Sequence, residues 1–378
     1  MFSVTSLGFL PFMALFVCLW YRVPQPSRWK LVLAANVVFC LSIDIGAFFA
    51  VALATAVVWQ AAQNAQPEQP SRRGWLALGL AAALLPLLVL KYSGMLVPGL
   101  RDLYKPFGLA YYSLQLAGYL LDVWHGRTAP TPSYARLWCY AGFFLSLTQG
   151  PFNRYNTLMP QLEAAPKTFE TQRLVSGLQR SAWGYFKKFA IADRAAIVVS
   201  AAFADPASFD RSQLIFATVM YSFQLYADFS GYTDIVLGMG EILGLHLPEN
   251  FRQPFFSASV KELWARWHIS LSQWFRDYVY IPLGGNRKGI ARRDANLLLT
   301  FLISGLWHGA NWTFLVWGGL HGLCQVAEDH MPAPLRKRKS LPLRIVGVPL
   351  TFAIFVTTFT IFRTSSLGNA AAYFAGIL

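Results

Sequence analysis

The sequence predicts an all-α polytopic membrane protein, and three observations carry that expectation. Of its 378 residues, 55% are hydrophobic and 13% charged, against roughly one-quarter charged in a soluble domain. The apolar residues run in stretches of membrane-spanning length. The basic residues gather in the short segments between those runs, as the positive-inside rule requires. The excess of 32 Lys+Arg over 18 Asp+Glu, a formal +14, therefore reads as a bias toward the membrane surface, and nucleic acid is set aside as a partner. Cys18, Cys40, Cys139 and Cys324 lie inside apolar runs without a spaced framework, which argues against a disulfide scaffold, zinc or a redox role.

Residues 7–21 form the first apolar run. The charges Arg22, Arg28 and Lys30 follow it instead of preceding it, and no small-residue cleavage site is evident, so a retained first helix with a cytoplasmic basic end is expected. Residues 29–61 are too long for one span and carry Asp44 near the middle, which predicts two short or kinked helices. The Pro- and Gln-rich stretch 60–73 is a loop, and 74–90 is the next span. Two further apolar elements, 107–123 and 135–147, flank a Pro-bearing turn at 127–132. Gln149-Gly150-Pro151-Phe152-Asn153-Arg154-Tyr155 then breaks the pattern. At membrane depth, irregular backbone is tolerated only inside protein or along a water-filled cavity. The polar stretch 155–180 is an exposed loop or a surface helix.

The run 183–203 opens with Lys187, Lys188 and Arg194, and 213–245 embeds Asp228-Phe229-Ser230-Gly231-Tyr232-Thr233-Asp234. Carboxylates in a membrane segment face a cavity or pair with basic groups. A structural salt bridge is favoured here over a proton path, and Asp228, Ser230 and Tyr232 are read as structural or tunnel-lining. At Ser259, a Glu three residues on completes the form of a capping box, so a helix should begin near Val260. Val260, Leu263 or Trp264, Trp267, Leu271 and Trp274 recur at helical spacing, with Lys261, Arg266 and Arg276 off the stripe. That pattern predicts one amphipathic helix over about 259–276, lying in the membrane interface, with His268 pointing sideways. A turn at 282–286 and the basic residues Arg287, Lys288, Arg292 and Arg293 follow. Residues 296–327 lie between two basic ends, the second being Arg336-Lys337-Arg338-Lys339, so they should cross twice or re-enter. Their glycines suit two close-packed helices joined near 309–311, and 342–362 make a last span. No internal repeat or separate soluble domain is evident, so residues 1–378 are expected to form a single integral-membrane domain.

Within 296–327, Leu306-Trp307-His308-Gly309 and His321 place two imidazoles in apolar sequence, where a polar side chain pairs, lines a cavity or does chemistry. On one straight helix, thirteen steps of about 100° would set them on opposite faces. They are separate positions, and His321 has an ordinary hydrogen-bonding role as its alternative. Neither shows the i, i+4 spacing with an adjacent acid typical of H-E-x-x-H, so no metal is expected.

Four patterns together, Leu306-Trp307-His308-Gly309, Trp264-Ala265-Arg266-Trp267-His268-Ile269-Ser270-Leu271-Ser272, Asp228-Phe229-Ser230-Gly231-Tyr232 and Pro248-Glu249-Asn250-Phe251, resemble the membrane-bound O-acyltransferase (MBOAT) family. The resemblance is closest to its bacterial branch that acetylates alginate and related exopolysaccharides, and it runs from Phe2-Ser3 to Ile361-Phe362-Arg363. It implies about ten or more transmembrane or re-entrant helices around a tunnel, in the bacterial inner membrane. It also implies transfer of an acyl group, acetyl first, from a cytoplasmic thioester to an exopolysaccharide hydroxyl or a periplasmic partner transferase. No bound cofactor is implied; acetyl-coenzyme A or an acyl carrier protein is the co-substrate. By the match His308 is the family's histidine, and His268 stands where relatives carry a second His or an Asn. Trp307, Asn311, Trp267, Arg266 and Ser272 beside them are the substrate-binding candidates. The short chain after the last span is similar to the D-alanyl transferases of teichoic-acid modification, which keeps D-alanyl transfer from a carrier protein as an alternative.

The chemistry of the residues agrees. Thioester-to-hydroxyl transfer needs a base near neutrality, which imidazole supplies. His308 is expected to take the hydroxyl proton, and His268, or less directly Asn311, to donate to the developing oxyanion. A Ser304–His308 relay at i, i+4 is conceivable, but direct transfer needs no protein nucleophile. The rival classes are a proton-coupled transporter, which should show an inverted repeat, and a non-catalytic export scaffold, in which His308 is dispensable.

Overall fold

Each apolar run met along the chain becomes a helix in the computed structural model, which describes residues 3–6, 8–67, 69–97, 104–166, 168–333, 335 and 340–378. No strand occurs among these residues, only one isolated bridge. Among the described residues, three helices are long and apolar enough to cross a membrane by length and composition: Ile45–Asn64, Arg72–Met95 and Leu341–Arg363. The expected basic run Arg336–Lys339 and the Phe2 end of the family resemblance lie outside the described residues.

Two compact units divide the chain. The first, Met1–Tyr185 with Tyr232–Pro248, begins with α1 (Phe9–Arg22), α2 (Arg28–Ile43) and α3 (Ile45–Asn64). Asp44 splits the long run as expected: its backbone is extended and its carboxylate accepts the Gly46 N–H at 2.9 Å, capping α3. Such a cap is worth about 1 kcal/mol, and the Tyr104 hydroxyl also reaches the carboxylate. Arg28 corrects the expectation of a surface charge. Its guanidinium is buried, donates to the Ala165 and Pro166 carbonyls at 3.0 and 2.7 Å, and lies over the Trp20 ring. Next come α4 (Arg72–Leu96), α5 (Leu109–Trp124) and α6 (Tyr134–Ala141). The apolar element expected at 135–147 thus ends early, and the chain turns irregularly through the break at 149–154. Protein groups satisfy that break: Asn153 donates to Ser146 Oγ at 2.8 Å and accepts the Tyr140 hydroxyl on its carbonyl at 3.0 Å. The polar stretch at 155–180 is helical, as α7 (Tyr155–Ala164) and α8 (Thr171–Phe186).

The second unit is Phe186–Gly231 with Glu249–Leu378. A π-helical turn at Lys187–Ala192 leads into α9 (Asp193–Ala204), and α10 (Arg211–Ile242) gives this unit its residues up to Gly231. The single interfacial helix expected at 259–276 is not found. The chain forms α11 (Val260–Arg266) and α12 (Ile269–Phe275), broken at His268, and then a π-helical turn at Arg276–Tyr280. Its stripe is buried instead of facing head groups, with Val260, Leu263, Trp267 and Leu271 each no more than 4% exposed. The capping box forms in half: Ser259 Oγ accepts the Glu262 N–H at 3.0 Å, while the Glu262 carboxylate reaches one residue further back and accepts the Ala258 N–H at 2.8 Å. The pair α13 (Ile290–His308) and α14 (Trp312–His330) forms the expected close hairpin. A Cβ at Gly305 would strike the Phe314 carbonyl, and one at Gly318 the Phe301 carbonyl. Here glycine is required by backbone proximity. After α15 (Leu341–Arg363), a helix the sequence did not announce, α16 (Leu367–Ile377), is capped by Ser366, and its Tyr373 hydroxyl donates to the Leu214 carbonyl at 3.0 Å.

Candidate active site

The hairpin ends the apolar helix α13 at His308, where Gly309 turns the chain and Asn311 starts α14. His308 is partly buried. Its ring centroid stands 4.9 Å from Trp307, 5.1 Å from Trp317 and 5.2 Å from Phe362. His268 is 2% exposed, 4.6 Å from Phe229 and 6.3 Å from Trp307. Trp307 thus has a ring contact with each imidazole. His268 occupies a left-handed backbone conformation, φ 44° and ψ 52°. For a residue with a Cβ that conformation costs roughly 1–2 kcal/mol. Strain of this kind clusters at functional sites.

His321 lies across Trp317 from His308, at 5.1 Å from the indole, so one ring separates two positions that a straight helix would have set apart. Both its nitrogens have partners: Trp264 Nε1–H donates to Nδ1 at 3.2 Å, and Nε2 lies 3.0 Å from Thr358 Oγ1. Nδ1 must therefore be the acceptor and Nε2 the protonated nitrogen. His321 is a buried hydrogen-bonder that fixes the Trp264 indole.

The other candidates divide. Ser272 and Ser304 share the wall of a cavity of about 340 Å³ with Lys261, Trp264, Thr300 and Arg276. It adjoins a second, larger and more polar hollow of about 500 Å³, where Lys261, Tyr280, Asn286 and Asp329 recur with Arg293. Ser304 is at i−4 from His308, about 6 Å along the helix axis, and the lining includes Ser304 but neither His308 nor His268. Trp267 is packed in the aromatic core, 5.0 Å from Phe355. Arg266 pairs with Glu262 at 2.6 Å. Burial raises the Glu262 pKa, but the Ala258 N–H, Arg344 and Arg266 outweigh it and hold the carboxyl below its ordinary range. Asn311 is engaged at both ends, accepting the Thr313 N–H at 3.2 Å and donating to the Ser365 carbonyl at 2.6 Å.

Asp228 and Ser230 are partnered within the second unit. Lys188 Nζ lies 2.6 Å from Asp228 and 2.9 Å from Asp193, and Lys187 Nζ donates to Ser230 Oγ at 2.9 Å. In the first unit, the Tyr232 hydroxyl shares a 2.5 Å hydrogen bond with Thr148, and Arg180 pairs with Asp234 at 3.1 Å. Both carboxylates thus have a basic partner. Among the described residues, no group of three or more His, Cys, Asp or Glu side chains is placed to hold a metal.

Residues 89–366 match the MBOAT, membrane-bound O-acyltransferase family, pattern. The chain belongs to this family. It is an O-acyltransferase, and its apolar helices fit a membrane protein. It is 34% identical to the probable alginate O-acetylase AlgI of Azotobacter vinelandii, over 97% of this chain and 76% of that protein. It is 31% identical to the peptidoglycan O-acetyltransferase of Helicobacter pylori, over 81% of this chain and 65% of the relative. It is 29% identical to the teichoic acid D-alanyltransferase of Bacillus subtilis, over 69% of each.

Sequence reading did not assign the cavity lining at Lys261, Thr300 and Gln325, the role of Trp264, or the contacts Asn250 makes next to His268. Asn250 had a signal, since it lies in one of the four quoted motifs. Thr300 and Gln325 had none, because one polar residue per helix turn is ordinary in a packed membrane helix.

Proposed function

We propose that the protein moves an acyl group, acetyl first, from a cytoplasmic thioester across the bacterial inner membrane to a hydroxyl of an exopolysaccharide or of a periplasmic partner transferase. One observation supports this most: a cavity lined by Lys261, Arg276, Tyr280 and Asp329 together with Trp264, Thr300 and Ser304, the last of these one helical turn before His308. A lining that is charged in part and apolar in part suits an acyl donor with an anionic portion and a thin thioester arm.

In the transfer, His308 accepts the proton of the acceptor hydroxyl as that oxygen bonds to the thioester carbonyl carbon. His268 donates an N–H to the carbonyl oxygen as it takes up negative charge. The C–S bond then breaks, the carbonyl reforms, and the thiolate leaves with the proton returned from His308. No protein nucleophile is needed, so Ser304 serves as cavity wall. Trp307 keeps the two imidazoles in register. Asn311 acts through the fold as the cap of α14, and Asp228 and Asp234 act as ion-pair partners instead of proton carriers.

The test is transfer of radiolabelled acetyl from acetyl-coenzyme A by the purified protein in proteoliposomes, with glycan or partner protein supplied on the opposite side. Label reaching the acceptor supports acetyl transfer. Turnover only with a D-alanyl carrier protein would support the reading that the B. subtilis relative suggests, and proton flux without acyl transfer would overturn both.

A further inference from the structure

The short segment before α11 makes contacts on both sides of His268. Phe251 pairs with Trp267 in the isolated bridge, and the Arg252 N–H donates to the Arg266 carbonyl at 2.9 Å. The Asn250 carbonyl accepts the Ile269 N–H at 3.0 Å. Its side-chain Oδ1 accepts both the Ser270 N–H at 3.2 Å and the Ser270 hydroxyl at 2.7 Å. His268 itself gives α12 no side-chain cap. A residue eighteen positions earlier therefore supplies the cap and takes the first two N–H groups of the helix. Those are the groups that would move if the His268 backbone relaxed from φ 44° into the right-handed region.

Asn250 is fully buried, and its Nδ2 finds no acceptor among the described residues. A side chain present only to fill space would be apolar, since an unsatisfied buried donor is unfavourable. We propose that Asn250 is the positioning residue for His268: it locks the left-handed turn that aims the imidazole toward Trp307 and the acyl-transfer centre. This inference rests on His268 acting at that centre.

The experiment measures kcat and KM for acetyl-coenzyme A in proteoliposomes for Asn250→Ala, Asn250→Asp, His268→Asn, His268→Ala and the Asn250→Ala/His268→Asn double variant. Rates are normalised to folded protein by size-exclusion profile. Asn250→Ala is expected to lower kcat roughly 10- to 100-fold, the scale of a small misplacement of a reacting group, with KM little changed. Asn250→Asp, which keeps the Ser270 acceptor, restores most of the rate. In the double variant the loss is no greater than in His268→Asn alone, because both changes act through one ring. Multiplying losses, or a wild-type kcat in Asn250→Ala, would overturn the proposal while leaving the site intact. A wild-type rate in His268→Asn and His268→Ala would instead remove the site reading beneath it. Should Asn250→Ala fail to fold, Ser270→Ala removes one contact alone. A several-fold drop absent in the His268→Asn background supports positioning, and an unchanged rate overturns it.

Discussion

Replacing His321 by leucine separates a structural histidine from a catalytic one. The wild-type ring is fully buried, accepts the Trp264 indole N–H on Nδ1 and, from Nε2, donates to Thr358 Oγ1. Leucine fills similar space but takes neither partner. Thr358 is not stranded, because its hydroxyl retains the Ile354 carbonyl at 2.8 Å. Trp264 Nε1–H is stranded, at about 1–3 kcal/mol for a buried unsatisfied donor, and two hydrogen bonds of about 1 kcal/mol each are lost. These terms overlap, so the expected destabilisation is roughly 2–4 kcal/mol. Thr358→Val, which removes one partner only, should cost about 1 kcal/mol. The assay is thermal unfolding in detergent, paired with the acyl-transfer rate per folded molecule. The expected result is a clearly lowered midpoint for His321→Leu, a smaller fall for Thr358→Val, and a retained rate in both. An unchanged midpoint, or a lost rate with an intact midpoint, would refute the assignment of His321 to structure.

Three further outcomes are expected. Gly305→Ala should reduce folded yield sharply, because the new Cβ meets the Phe314 backbone, whereas Gly319→Ala, whose Cβ meets only a Leu302 methyl at 3.7 Å, should fold normally; fluorescence-detected size-exclusion compares the two. Thr300→Trp should fill the cavity beside α13 and raise KM for the acyl donor at least about tenfold, with the fold intact, as loss of a binding site requires; an unchanged KM would detach the cavity from donor binding. Glu262→Gln should lower the thermal midpoint at neutral pH. Because the folded carboxyl is held below its ordinary value, its contribution is present above the unfolded pKa and is lost as pH falls through the folded one. The wild-type and variant midpoints should therefore converge in acid, and a constant gap would contradict the ion-pair assignment.

Helix existence was largely legible, because a run such as 45–64 has no other stable form in lipid and Asp44 carries its own cap. The hairpin at 309–311 was legible from its glycines. What misled was the Trp-rich stripe at 259–276, where regular spacing reads as one helix whether the chain is straight or broken. The break at His268 comes from contacts with Asn250 and Phe251, which no local period records. Arg28 misled for a related reason: a positive residue after an apolar run reads as a surface anchor, and the carbonyls of Ala165 and Pro166 that bury it lie far away in sequence. At the site, both imidazoles were legible as polar residues in apolar sequence. Their meeting across Trp307 was not, since it depends on how α12 and α13 pack.

The most direct measurement is the acetyl-transfer rate of His308→Ala against wild type, with acetyl-coenzyme A titrated and both proteins shown to be folded in the same proteoliposomes. If His308 is the base, the rate falls by about 10²–10⁴-fold, the usual contribution of a general base, while KM for the donor stays near its wild-type value. A variant that transfers acetyl at the wild-type rate would contradict the assignment.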